Sequence, residues 1–148
     1  MVKNGFWGSF RSTLDSKGRI NFPAKIRKNL REDDADTLIL IRGSEKCIAM
    51  FPRSSWQNFI NKIKEKVEND RQFGVISRRL MYEASEQKID KQGRLNLSAG
   101  LIEYAQLNGE VLIVGYEDKI EIWNPAKYRE FVEATEGDFQ TLSRDLDI

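Results

Sequence analysis

Two arginines stand in matching settings. Leu14-Asp15-Ser16-Lys17-Gly18-Arg19-Ile20-Asn21-Phe22-Pro23-Ala24 aligns with Ile89-Asp90-Lys91-Gln92-Gly93-Arg94-Leu95-Asn96-Leu97-Ser98-Ala99. Five of the eleven pairs are identical, and three more exchange one apolar residue for another. Each copy contains Asp-x-x-Gly-Arg. The Asp can accept a hydrogen bond from a backbone N–H two residues on. The Gly suits the last position of a type I turn. Asp15, Gly18, Asp90 and Gly93 are therefore read as the residues that build the turns. The chemistry on offer is that of a guanidinium, a planar fork of donors that matches phosphate, carboxylate or the edge of guanine. Arg19 and Arg94 could instead do no more than pair with Asp15 and Asp90.

Other chemistry is thinly represented. The chain has no histidine and one cysteine, Cys47, which removes the commonest general base and any conventional zinc site. No Gly-rich phosphate loop ending in Lys-Ser/Thr and no nucleophile elbow occurs. The chain reads as a non-enzyme with no cofactor and no metal. Cys47 lies in an apolar run, as a buried structural thiol would, and a reducing compartment suits a single cysteine.

The elements that must position the arginines follow from periodicity. Ile20 and Phe22 alternate with Asn21, as Leu95 and Leu97 do with Asn96, which is the period of a half-buried strand. Pro23 and Ser98 stand where a short helix can begin, with Ile26 and Leu30, and Leu101 and Ala105, on the inner faces. An apolar hairpin follows in each copy: Leu38–Ile41 with Cys47–Phe51, and Val111–Val114 with Lys119–Trp123. Pro52 and Pro125 then recur in step, each followed by an aromatic, Trp56 and Tyr128.

Helices are expected around the copies. Trp56, Phe59, Ile60, Ile63 and Val67 form a helical stripe, entered through a capping-box-like Ser54-Ser55-Trp56-Gln57. Phe73, Ile76 and Leu80 suggest a second helix. Asn124-Pro125 starts a third, with Gly137 as its stop and a frayed polar end beyond. The expected organisation is module 1 at 8–55, a helical connector at 56–83, module 2 at 84–127, and a helix end with an acidic tail at 128–148. The fold class is α+β, mainly β. Two small hairpin modules bury too little alone, so packing on each other to close one barrel is expected.

Charge is unevenly spread. The formal net charge is +1, yet 1–31 holds eight basic residues against one acidic, while 130–148 holds six acidic against one basic. The first segment suits a polyanion, although a solvated surface would read the same way. No apolar run is long enough to cross a membrane, and the first seven residues lack the apolar core of a signal peptide.

These motifs resemble the MraZ family of bacterial regulators, whose repeat is of the SpoVT/AbrB class. The likeness rests on both Asp-x-x-Gly-Arg segments, on Arg78-Arg79-Leu80, on Glu103-Tyr104-Ala105 and on Ile120-Glu121-Ile122-Trp123-Asn124-Pro125. It implies a swapped-hairpin barrel of AbrB type within one chain, pseudo-symmetric and flanked by helices. It implies a ring-like homo-oligomer. It also implies binding to direct repeats upstream of the division and cell-wall gene cluster that includes the family's own gene, usually as a repressor. The place implied is the cytoplasm, on the nucleoid. The family's usual Pro and Arg in the second module's helix are replaced by Ser98 and Ile102, which implies a weaker phosphate grip there. The usual histidine before the first Asp is absent.

Double-stranded DNA is thus the expected partner, with no membrane and no small-molecule substrate. Arg19 and Arg94 would read base edges. Lys17, Lys91, Arg11, Lys25, Arg27 and Lys28 would hold phosphate and set register. The alternative is a protein-interaction or antitoxin-type assembly module, in which the acidic tail engages a basic partner.

Overall fold

The strands come in two matching sets. The computed structural model describes residues 5–148; Met1–Asn4, with Lys3 of the basic segment, lie outside them. The first set is β1 (Ser9–Thr13), β2 (Arg19–Asn21), α1 (Ala24–Arg27), β3 (Thr37–Arg42) and β4 (Ile48–Pro52). Helices α2 (Arg53–Lys66) and α3 (Asp70–Met81) follow. The second set is β5 (Ser85–Lys88), β6 (Arg94–Asn96), α4 (Ala99–Tyr104), β7 (Glu110–Tyr116) and β8 (Lys119–Trp123). Helices α5 (Pro125–Ala134) and α6 (Glu136–Leu146) close the chain. The fold is α+β, with antiparallel strands and six α-helices among the described residues.

The pairing is swapped between the two sets. Six strands run in the order β1-β7-β8-β4-β3-β5, and β2 pairs with β6 in a separate ribbon. That order is unchanged when each strand is exchanged for its counterpart in the other copy. Thr13 faces Glu110 across β1–β7, and its counterpart Lys88 faces Thr37 across β5–β3. Ile20 opposes Leu95 at the centre of the ribbon, and Ala49 opposes Glu121 at the centre of β4–β8. Both central pairs lie where a pseudo-twofold axis must pass. Strands β1 and β5 end the six-strand ladder without pairing to each other among the described residues. The ladder is therefore open, with the ribbon as a separate piece, and does not form the continuous ring of strands expected of a closed barrel.

The ribbon turns its apolar pair inward. Ile20 and Leu95 are fully buried and join Leu38, Leu40, Ile48, Met50, Val111, Ile113, Ile120 and Ile122 in one core. Burial of each contributes about 1.5–3 kcal/mol. A smaller cluster lies on the other face of β3–β4. There Phe51 stacks on Phe59 of α2 at 4.3 Å between centroids and meets Trp56 edge-on at 5.6 Å.

Three local expectations change. α2 starts at Arg53, so Ser54 lies within its first turn, and no capping box forms. The fully buried Asp34 caps it instead, accepting from the Ser54 N–H at 2.8 Å and from the Arg31 N–H at 2.9 Å. α3 forms where expected, but Ile76 stays exposed. Gly137 is not a stop: α5 ends at Ala134, and Gly137 lies in the first turn of α6, which carries the acidic tail almost to its end. No helix among the described residues is long and apolar enough to cross a membrane.

Candidate nucleic-acid interface

The two turns are built identically. In the first, Asp15 Oδ1 accepts from the N–H groups of Lys17 and Arg19, both at 2.9 Å. Gly18 donates to the Asp15 carbonyl at 3.1 Å with φ at +79°, a conformation open to glycine at little cost. In the second, Asp90 Oδ1 accepts from Gln92 at 2.9 Å and Arg94 at 2.8 Å, and Gly93 has φ +78°. The Arg19 and Arg94 N–H groups above all hold the two Asp carboxyls below the ordinary carboxylate range.

The remaining carboxylate oxygen grips the arginine. Arg19 Nε donates to Asp15 Oδ2 at 2.9 Å, and Arg94 Nε donates to Asp90 Oδ2 at 3.3 Å. The expected ion pairs are thus present. They use only Nε, however. Neither Nη atom of Arg19 or Arg94 donates to protein among the described residues, so the forked end of each guanidinium is oriented and unpaired there, on side chains 23% and 31% exposed.

Ribbon register gathers these forks. Arg19 lies opposite Asn96, and Asn21 lies opposite Arg94. Because Ile20 and Leu95 point inward, all four polar side chains share the outer face. Asn21 and Asn96 are exposed. They belong to this face as fully as the arginines, yet sequence reading used them only as the polar half of an alternation. Their identity in both copies was the available signal.

The modules also exchange their turns' surroundings. The Gly93 O accepts from Phe22, and the Gly18 O accepts from Leu97, both at 2.8 Å. A Cβ at Gly93 would meet Arg27 Nη1 at 3.9 Å, while one at Gly18 would meet Ile102 Cδ1 at 3.4 Å. The first module's Arg27 therefore serves the second turn, and the second module's Ile102 covers the first.

The other basic candidates divide. Arg27 makes a two-pronged pair with Asp36, at 3.2 and 2.8 Å, which raises the arginine's pKa and lowers that of Asp36. Arg11 pairs with Glu110. Arg11 and Lys25 line one shallow groove with Asn21, between β1 and the β2–α1 connection. Lys17 and Lys91 project from the turn tips. Lys28 sits at the C-terminal end of α1, where a cation also suits the helix dipole. None of these four lysines forms an ion pair among the described residues.

The family model of the MraZ protein, described as antitoxin-like, matches residues 6–74 and 80–147. The chain belongs to the MraZ family. The two matched stretches hold the two module copies described above. Relatives named transcriptional regulator MraZ agree in length as well as sequence. That of Natranaerobius thermophilus is 35% identical over 141 residues, covering 95% of this chain and 96% of its own. That of Lactobacillus johnsonii is 36% identical over 142 residues, 96% of each chain. That of Cytophaga hutchinsonii is 31% identical over 138 residues, 93% of this chain and 91% of its own.

Proposed function

We propose that this chain is a transcriptional regulator that binds double-stranded DNA sequence-specifically and is not an enzyme. The β2–β6 ribbon is the reading element, since the major groove admits a two-stranded ribbon. The observation that carries this reading is the pair of carboxylate-clamped arginines, each with both Nη atoms unpaired among the described residues, on one outer face. Strand geometry puts the Arg19 and Arg94 backbones about 8 Å apart, or about two base steps. Each fork suits guanine O6 and N7, and Asn21 and Asn96 suit adenine N6 and N7. Lys17 and Lys91 reach the flanking phosphates, with Lys25 and Lys28 further out. Arg11 and Arg27 would have to share or exchange their carboxylate partners to join them.

Ribbon and sheet act together as one pseudo-symmetric unit of two modules, 8–55 and 84–127, joined by the connector at 56–83. A single face covers few base pairs, so affinity comes from a homo-oligomer, ring-like in this reading, that presents several faces to direct repeats. The relatives' name supports transcriptional regulation; the family resemblance adds repression of the division and cell-wall cluster that includes the chain's own gene, at the nucleoid in the cytoplasm. The test is a titration against duplexes carrying direct repeats about 10 base pairs apart, and against the same repeats with the spacer shifted by half a turn. Affinity should fall sharply on shifting. Undiminished affinity would overturn the multi-face reading. Binding no tighter than to unrelated DNA would overturn sequence-specific recognition.

The family's antitoxin-like description favours a second reading, an assembly module for a protein partner. A protein that occupied the ribbon face and displaced DNA would support it.

A further inference from the structure

Among the described residues, the fold leaves uncovered an apolar groove rimmed by cations and an apolar helix stripe flanked by carboxylates. The first is a groove of about 990 Å³ between α3 and the β3–β4 turn. Arg42 lines it, with its guanidinium carbon 5.0 and 4.9 Å from the ring centroids of Tyr82 and Tyr104. Arg78, Arg79 and Lys46 bring positive charge to its rim, and Val75 and Ile76 supply an exposed apolar wall. The carboxylate paired with Arg42 is Glu83, at 3.1 Å. The groove lies at the far end of β3 from the Arg27–Asp36 pair, about 20 Å away by strand rise.

The second surface is α6. It follows α5 directly through Thr135, and Phe139, Leu142 and Leu146 remain 58%, 57% and 65% exposed. Their spacing of i, i+3, i+7 draws one stripe along the helix. At 100° per residue, Asp138 and Asp145 flank the stripe on one side and Glu136 on the other, while the helix's one cation, Arg144, falls on the opposite face. An 11-residue helix is marginal in water without an apolar face to bury. A contiguous exposed stripe of this kind marks an interaction surface.

We propose that α6 of one copy seats in the α3 groove of a second copy. Phe139, Leu142 and Leu146 meet Val75 and Ile76, and the flanking carboxylates meet Arg78, Arg79 and Lys46. At about 16 and 18 Å the two helices are well matched in length. Each copy gives one helix and receives one, so the contact is head-to-tail and propagates around a ring or along a chain. The inference deepens the homo-oligomer of the proposed function and rests on that part of it alone.

The test uses two full-length variants, Arg78→Glu with Arg79→Glu, and Asp138→Lys with Asp145→Lys. All four residues are exposed, and circular dichroism checks that both variants keep the native helix and strand content. In sedimentation the native chain should run as a multiple of 17.2 kDa. Each variant alone should need at least tenfold more protein to assemble. Mixed in equal amounts the two should co-assemble, because each supplies a surface complementary to the other's. A monomeric native chain, an unchanged mass in either variant, or no recovery on mixing would overturn the proposal. A duplex with a single repeat separates this from DNA reading. Both variants should bind it as the native chain does. Loss of duplex binding with unchanged mass would assign the groove to DNA and overturn the interface. A native chain that assembles as described but binds no duplex leaves the interface standing and removes the DNA reading.

Discussion

Replacing Arg19 by Lys keeps the charge and removes the fork. The Asp15 carboxylate holds Arg19 by Nε alone, leaving two donors in fixed orientation. A lysine in its place is a single flexible point charge that cannot make the paired contact to guanine. One good bidentate pair gives about 1–3 kcal/mol of discrimination, or about 5- to 150-fold in affinity for the correct site. Affinity for unrelated DNA should hardly change, because the phosphate term depends on charge. Salt dependence should also stay as it was. Lys17→Gln should do the reverse: it should lower the log–log salt slope by about 0.9 per contact and weaken all duplexes alike. Fluorescence titration at several salt concentrations, on a repeat-bearing duplex and a scrambled one, reads both effects. If Arg19→Lys weakens both duplexes equally, the arginine holds phosphate. If it weakens neither, the guanidinium serves only its ion pair. Either result refutes base reading by this face.

Three further outcomes follow from the geometry. Gly93→Ala should cost about 1–2 kcal/mol, because an L-residue is strained at positive φ. Gly18→Ala should cost more, since its Cβ would also lie 3.2 Å from the Leu97 carbonyl; equal urea midpoints for the two variants would contradict this. The Asp15, Asp36 and Asp90 carboxyls all sit below their ordinary pKa, so the unfolded chain binds more protons than the folded chain in acid. Their contribution is fully present above about pH 5 and is lost as pH falls through the folded values. The urea midpoint should drop on acidification, and the drop should be smaller in Asp15→Asn with Asp90→Asn. Asp34→Ala removes an N-cap and a buried acceptor, costing about 2–3 kcal/mol. Calorimetry should show Tm lower by about 4–12 °C, given the chain's size.

The turns were legible because every partner lies within five residues: Asp, the two N–H groups it accepts from, the Gly and the Arg are adjacent in sequence. β2 and β6 and the faces of α1, α2 and α4 were legible from periodicity, and the two hairpins from their apolar runs; β1 and β5, with one apolar residue between them, carry no such pattern. What escaped were contacts made across the chain. Asp34 caps a helix 20 residues away, which no local motif announces. Arg27 looked like part of the first turn's basic field, but the swap places it beside Gly93. Asn21 and Asn96 read as mere alternation until register set each against an arginine. Gly137 looked like a helix stop, but Thr135 had already ended α5, and the glycine fell inside the next helix.

The swapped strand order also sets a constraint on biosynthesis. β1 leaves the ribosome well before β7, yet Thr13 awaits Glu110 as its pairing partner. At about 5–20 residues per second, that wait lasts on the order of 5–20 seconds. During it the first module has no β7 to pair β1 and no β6 to complete its ribbon. While β3 and β4 can pair at once, β1 and β2 must stay unpaired or find the same edges on another nascent copy. Crowded polysomes would favour interchain exchange of whole modules, and chaperones that shield strand edges should matter most for chains stalled before residue 110.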